Sequence, residues 1–305
     1  MQSLLYSIIE ANRSWTRQGK VANYIPGLAK ANPEALGIVL ITTDNQSYAA
    51  GSHETPFTIQ SISKILTFTC ALMDTPFAEL SKIISLEPTS DEFNSISSLE
   101  IKNTHKPLNP MINSGAIATL SLVKGDSYAE RFQRVFSFAK LLTGNEALPL
   151  NQDVYASESR TGHRNRALAY YMKSTDIIHD DVEELVDAYF RLCSLQVTCH
   201  DIARIGAVLA GNGLLPGSET RVIPKDICRI VKAVMATCGM YNGSGLFATS
   251  VGLPAKSGVG GGILAVSPNR MGIGVMGPAL DEKGNSLAGI KVLEDLSKRL
   301  DLSIY

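Results

Sequence analysis

The chain has 305 residues, 45% of them apolar and 19% charged, and a formal net charge of −1. That length can bury a large core and is expected to give one large domain or two intimately joined ones. The near-zero charge implies no bulk attraction to nucleic acid or to an anionic membrane, and no run of eighteen apolar residues is present to cross a bilayer.

Residues 3–18 repeat apolar side chains at helical spacing and predict an amphipathic helix. Met1 to Ala11 has no basic start and no small-residue cleavage site, so it does not read as a signal peptide. Leu36 to Thr43 predicts a strand, Asp44-Asn45 a turn, and Gln46 to Ala50 the return strand. From Ile62 to about Met240 the pattern is mostly helical, with helices expected near 62–73, 113–123, 127–143, 165–172, 181–193, 200–211 and 225–238. Thr198-Cys-His-Asp201 carries a helix cap and an early acid, Gly213 is expected to end that helix, and Pro224 to start the next. Gly262 to Ser267 and Met271 to Met276 predict a hairpin turning at Pro268-Asn269. Leu287 to Leu300 predicts a last amphipathic helix with Leu293, Leu296 and Leu300 on one face.

Strands at both ends with helices between them predict an α+β protein. One antiparallel sheet, from residues 1–60 and 246–305, would be flanked by the two terminal helices. A helical part, 61–245, would be inserted, with the site in the cleft between the two. The five cysteines, Cys70, Cys193, Cys199, Cys228 and Cys238, are odd in number and form no Cys-x-x-Cys. They read as reduced, mostly buried thiols of a cytoplasmic protein. Cys199-His200 has no further ligands at zinc-like spacing, so no metal site is expected.

Two short motifs carry chemistry. In Ser61-Ile-Ser-Lys64 a serine and a lysine lie one turn apart at the start of an apolar helix. A serine nucleophile needs a base that close, and a helix N-terminus offers free N–H groups to a developing oxyanion. The spacing alone is common: Ser121 with Lys124 and Ser137 with Lys140 repeat it, and a cap plus a solvated lysine would explain Ser61 equally. Lys256-Ser257-Gly258 precedes Val259-Gly-Gly-Gly262 and a strand. Glycines there let a ligand approach the backbone closely and leave N–H groups free, or simply make a turn. A dinucleotide loop is excluded, because Gly258, Gly260 and Gly262 open a strand and not a helix. Ser-x-x-Lys followed by Lys-Ser-Gly across a helical insert is similar to penicillin-recognising serine enzymes. The Ser-Asp-Asn motif of that group is absent, as is an export signal.

The full set of segments resembles the serine-dependent glutaminases, which share the β-lactamase/transpeptidase-like fold. The resembling segments begin with Gly19 to Pro26, Gln60 to Lys64, Pro110 to Ala116 and Ser157-Glu158 with Gly162 to Asn165. They continue with Asp187 to Phe190, Cys238 to Tyr241 and Gly252 to Ile263. The chain departs from the family's pattern at His163, where many members carry an acid. The resemblance implies hydrolysis of L-glutamine to L-glutamate and ammonia without metal or organic cofactor, by a homodimer or homotetramer. It implies Ser61 as nucleophile, Lys64 as its activating partner and Tyr241 as a proton relay. The backbone N–H groups of Ser61 and Val259 would form the oxyanion hole, and Tyr24, Asn113, Glu158, Asn165 and Tyr189 would hold the two charged ends of the substrate. Each residue also has an ordinary reading: a solvated acid at a helix start for Glu158, a cap for Asn113, and core or surface rings for the tyrosines. A β-lactamase-like esterase or peptidase, or a non-catalytic glutamine-binding module of the same fold, remain alternatives. Lys64 can act as a base only if burial or a nearby cation, such as Lys256, lowers its pKa.

Overall fold

The computed structural model describes residues 1–100 and 105–305. The chain begins with α1 (Gln2–Asn12), followed by tighter turns at Arg13–Arg17 and Pro26–Lys30, then β1 (Gly37–Thr42), β2 (Ser47–Gly51) and β3 (Phe57–Thr58). A 3-10 turn at Gln60–Ile62 runs straight into α2 (Ser63–Asp74). The helices α3 (Phe77–Ile83), α4 (Ser97–Glu100), α5 (Asn113–Ser121), α6 (Tyr128–Thr143), α7 (Gln152–Thr161), α8 (His163–Ser174) and α9 (Val182–Cys193) follow. After them come β4 (Gln196–Val197), α10 (Cys199–Ala210), α11 (Lys225–Cys238) and α12 (Ser244–Ser250). The chain closes with β5 (Ala255–Ser257), β6 (Gly262–Ser267), β7 (Met271–Met276) and α13 (Leu287–Leu300).

Five strands make one antiparallel sheet in the order β2-β1-β7-β6-β5, so the two ends of the chain meet where β1 pairs with β7. Alternation along the strands sorts the side chains between two faces. Ile38, Leu40, Ile263, Ala265, Ile273 and Val275 face α1 and α13, packing with Leu5, Ile8, Leu293 and Leu296. Val39, Ile41, Leu264 and Val266 belong to the other core, shared with α10 and the remaining helices. On that face β7 carries Gly272 and Gly274. A side chain on Gly272 would collide with the backbone of Ala203 and Ala207, and one on Gly274 with the carbonyl of Cys199. The absence of those side chains lets α10 lie directly on the strand, with Gly206 meeting Gly272 across the contact. Among the described residues, no helix is long and apolar enough to cross a membrane.

The α+β architecture, the sheet with its flanking terminal helices and the closing hairpin match the expectation from sequence. Several boundaries differ. The first helix ends at Asn12, not 18, because the chain tightens into a 3-10 turn. Gly213 does not end α10: the helix stops at Ala210 with Gly211 as its cap, and Gly213 takes a left-handed turn (φ +93°) against Ile223. Thr198 and Asp201 do form a reciprocal capping box. The expected helical span is broken by an irregular stretch at 84–96, tied by Ser85 N–H to Pro107 O (2.9 Å) and Glu87 N–H to Leu108 O (2.8 Å). The part of that span at 101–104 lies outside the described residues.

Candidate active site

Ser61 sits in the 3-10 turn ahead of α2, and the turn is held from both sides. Upstream, β3 pairs with β4, and the Ile59 N–H donates to Leu195 O (2.8 Å). Gln60 takes a left-handed backbone, φ 47°, a strained conformation for a residue with a side chain. Opposite lies the glycine-rich stretch between β5 and β6. A Cβ on Gly258 would come 2.8 Å from Ile59 O and 3.4 Å from Ser61 N, and one on Gly260 or Gly262 would strike Thr58 O or the Phe57 ring. The glycines therefore serve a close approach of two backbones. That approach brings Val259 beside Ser61, and the bonds closing the turn use the N–H groups of Gly258 and Gly261, not that of Val259.

Lys64 follows one turn along, its side chain fully buried. Its ammonium donates to Asn113 Oδ1 (2.7 Å) and Met111 O (3.1 Å), which leaves one of its three donor positions unused by these contacts. Burial lowers its pKa to about 8, against the opposing pull of Cys193 and Glu158. Asn113 is the first residue of α5, yet its side chain does not cap that helix. It accepts from Lys64 and the Tyr189 hydroxyl (3.3 Å) and donates to Asn165 Oδ1 (2.8 Å), so α2, α5, α8 and α9 meet at one amide.

Glu158 is not at a helix start but in the second half of α7, and it is buried. Burial raises its pKa to about 8, with a Gln60 hydrogen bond and the Lys64 charge working the other way. Its Oε2 has no hydrogen-bond partner among the described residues. A buried carboxylate with a free oxygen is a site for a cation, since the uncompensated charge is costly.

Tyr241 also has a left-handed backbone (φ 54°) and a buried ring. Gly239 presses against the carbonyl of Ala255, which sets the tyrosine under β5. The phenol donates to Ser257 O (3.4 Å), and burial lifts its pKa to about 12 against the opposing pull of the nearby Ser61 and Ser257. Lys256 lies beneath, with Nζ 4.1 Å from the Tyr241 ring centroid and bonded to Ser257 O (2.6 Å). Burial and the Lys64 charge hold Lys256 well below the ordinary lysine range. The charges that act on Lys64 are those of Cys193 and Glu158, and both oppose the effect of burial. Burial, not Lys256, is thus the main cause of the Lys64 shift.

A small inner cavity of about 90 Å³ is lined by Ser61, Asn113, Glu158, Asn165 and Tyr189 among others. It adjoins a vestibule of about 650 Å³ lined by Tyr241, Val259, Lys20 and the loop 281–284. Tyr24, Phe93 and Asn94 line both, forming the throat between them. Tyr24 is about half exposed there, at 54%. All the residues singled out from sequence converge on these two spaces except Lys64 and Lys256, which lie in the wall behind. His163 is exposed and lines neither. Gln60, Phe93, Asn94 and Arg164 were not singled out. Phe93 packs its ring 4.8 Å from that of Tyr241 and accepts the Asn113 N–H (2.8 Å). The only sequence signal for these four is proximity to Ser61 for Gln60 and to Asn165 for Arg164.

Comparison with known proteins places this arrangement. A family model described as Glutaminase matches residues 19–305. A glutaminase of Clostridium tetani (strain Massachusetts / E88) is 55% identical over 305 residues, the whole of both chains. A probable glutaminase from Bacillus subtilis, solved in complex with 6-diazo-5-oxo-L-norleucine, superposes with a TM-score of 0.91 at 40% identity, covering 99% of this chain and 95% of that one. The Bacillus subtilis glutaminase YbgJ, solved as the covalent product of its reaction with the same compound, gives 0.91 at 39% identity, covering 100% of this chain and 99% of that one.

Proposed function

The chain belongs to the glutaminase family and hydrolyses L-glutamine to L-glutamate and ammonia, and we propose that it does so through a glutamyl-enzyme on Ser61. The observation that carries the assignment is that Ser61, one helical turn from a buried lysine of lowered pKa, faces the cavity that joins the space lined by Tyr241 and Val259. Neutral Lys64 takes the Ser61 proton as Oγ attacks the side-chain carboxamide carbon. The oxyanion is received by the N–H groups of Ser61 and Val259, worth about 3 kcal/mol each where such donors have been removed in other enzymes. Tyr241 donates its proton to the leaving nitrogen and is reprotonated from Lys64, so ammonia leaves neutral. Water then attacks the acyl carbon by the same route in reverse, releasing glutamate and restoring Ser61.

The substrate's other end carries an ammonium and a carboxylate. Glu158, with its free Oε2, suits the ammonium, while Asn113, Asn165 and Tyr189 suit the carboxylate. Tyr24 covers the throat. The reading includes a sheet subdomain of residues 1–60 and 246–305 and a helical subdomain of 61–245. A homodimer or homotetramer is in keeping with exposed Tyr170, Leu141 and Phe77 on the helices, and a cytoplasmic location with five unpaired, buried cysteines.

The test is Ser61→Ala assayed by glutamate release. Turnover should fall at least about a thousandfold, as loss of a nucleophile does elsewhere. Labelling by 6-diazo-5-oxo-L-norleucine should disappear with it. Near-normal turnover in the variant would overturn the assignment.

A further inference from the structure

We infer that Asn94 holds the nitrogen of the substrate's carboxamide and so selects an amide over an ester at the bond that is cut; this rests on Ser61 being the nucleophile. Asn94 belongs to the irregular stretch between α3 and α4. Its Oδ1 is buried and has no hydrogen-bond partner among the described residues. Buried acceptors are nearly always satisfied, so an unmet one on a residue that lines a cavity marks a place where a donor arrives with the ligand.

The position of Asn94 says which donor. The inner cavity carries Ser61 and Glu158, and the vestibule carries Tyr241 and Val259. The reacting carbonyl, which must meet Ser61 and Val259 together, lies where the two spaces join. Asn94 lines both spaces, as only Tyr24 and Phe93 also do. Glutamine brings two groups of N–H donors. The ammonium goes inward to Glu158, so the carboxamide NH2 is the donor left for the throat.

The backbone around Asn94 is pinned independently of its side chain. Its carbonyl accepts from Arg164 Nε (2.7 Å), and the preceding Phe93 carbonyl accepts the Asn113 N–H (2.8 Å). An amide is planar, so one N–H donated to Asn94 Oδ1 fixes the plane whose face Ser61 attacks. The contact survives as the nitrogen gains its proton and departs. A γ-ester, or the carboxylate of the glutamate product, sets an oxygen lone pair against Oδ1 instead. Sites built to bond a particular N–H discriminate against analogues that lack it by large factors.

The experiment compares L-glutamine with the γ-methyl ester of L-glutamate on wild type, Asn94→Ala and Asn94→Leu. Both variants keep the carbonyl that receives Arg164, and the leucine keeps most of the volume. The expected result is a fall of about 100-fold in kcat/KM for glutamine with less than about threefold change for the ester. The rate of labelling by 6-diazo-5-oxo-L-norleucine, which has no carboxamide N–H, is expected to stay within the same threefold. Equal losses on both substrates would make Asn94 merely structural and overturn the inference, as would unchanged glutamine turnover. Ser61→Ala, inactive on both substrates if the nucleophile is right, tests the underlying reading separately.

Discussion

Lys64 and Glu158 have been pushed by the same burial to the same place, about 8, from opposite directions. The folded pKa of Glu158 is above its unfolded value, so its proton favours folding below about 4.5, and that contribution is lost as pH rises through about 8. Lys64 is depressed, so its contribution is present above about 10.5 and lost as pH falls through about 8. The proposed mechanism asks both to lose a proton, Glu158 to receive the ammonium and Lys64 to receive the Ser61 proton. The kcat/KM of the enzyme is therefore expected to decline as pH falls below about 8. Replacing Glu158 by Gln removes a buried carboxylate that is ionised above that pH and has an unpartnered Oε2. The variant should lose roughly 100-fold in kcat/KM, the scale of an unpaired buried charge. Its Tm relative to wild type should rise between pH 5 and pH 9; a difference that falls over that range would contradict the burial argument. Ser61, Lys64 and Glu158 were legible in the sequence because each is a residue type the chemistry requires within a motif. Asn94 was not, because an isolated asparagine in an irregular stretch has no period and no spacing, and only its unmet acceptor distinguishes it.

At the scale of elements, the catalytic geometry depends on how closely one turn lies against another. Gly260 sits on Thr58 and Gly258 on Ile59, so the spacing between Ser61 and Val259 is a backbone-to-backbone distance. In Gly260→Ala the added methyl has no flexible side chain to displace. A loss of about 1–3 kcal/mol in stability is expected from overpacking, with a fall of roughly 100-fold in kcat from a displaced oxyanion donor. A urea midpoint and a glutamate assay read the two separately, and unaltered kcat would refute the role given to the close approach. The closing hairpin and α13 were readable because strand alternation and a leucine face are strong local signals. The helix α7 was not, since it buries only Val154, Ser157 and Glu158 and, apart from Tyr155 and Ala156, its remaining residues are polar. An acid and a serine on the inner face replace the apolar stripe that sequence periodicity detects.

Over the whole molecule, the sheet and the helices share a core. α10 contributes Ile202, Ile205 and Val208 to the cluster that holds Val39 and Val266 of the sheet together with helical residues as distant as Phe68 and Phe190. A sheet and helices bound this way are expected to unfold in one transition. L-Glutamate, at about 100 times its Kd, should stabilise that single step by about 2.7 kcal/mol. Two transitions, of which only one responds to the ligand, would mean that the parts fold separately. The overall plan of sheet ends and helical middle was visible from the order of strand and helix patterns. The seating of α10 was not, because it depends on glycines that carry no hydrophobic signal.

The contact of Gly206 with Gly272, and of Gly274 with Cys199, touches no substrate, yet it sets the height of α10 above the sheet. Thr198, which caps α10, directly follows β4, the partner of the strand leading to Ser61, while β7 pairs with the strand that follows Val259. Random mutations should therefore divide into two genetic kinds. Changes at Ser61 or Glu158 leave a folded protein that is inactive at every growth temperature. Changes in the glycine seam weaken a structure whose chemistry is intact, and so give conditional alleles, active in the cold and lost in the heat.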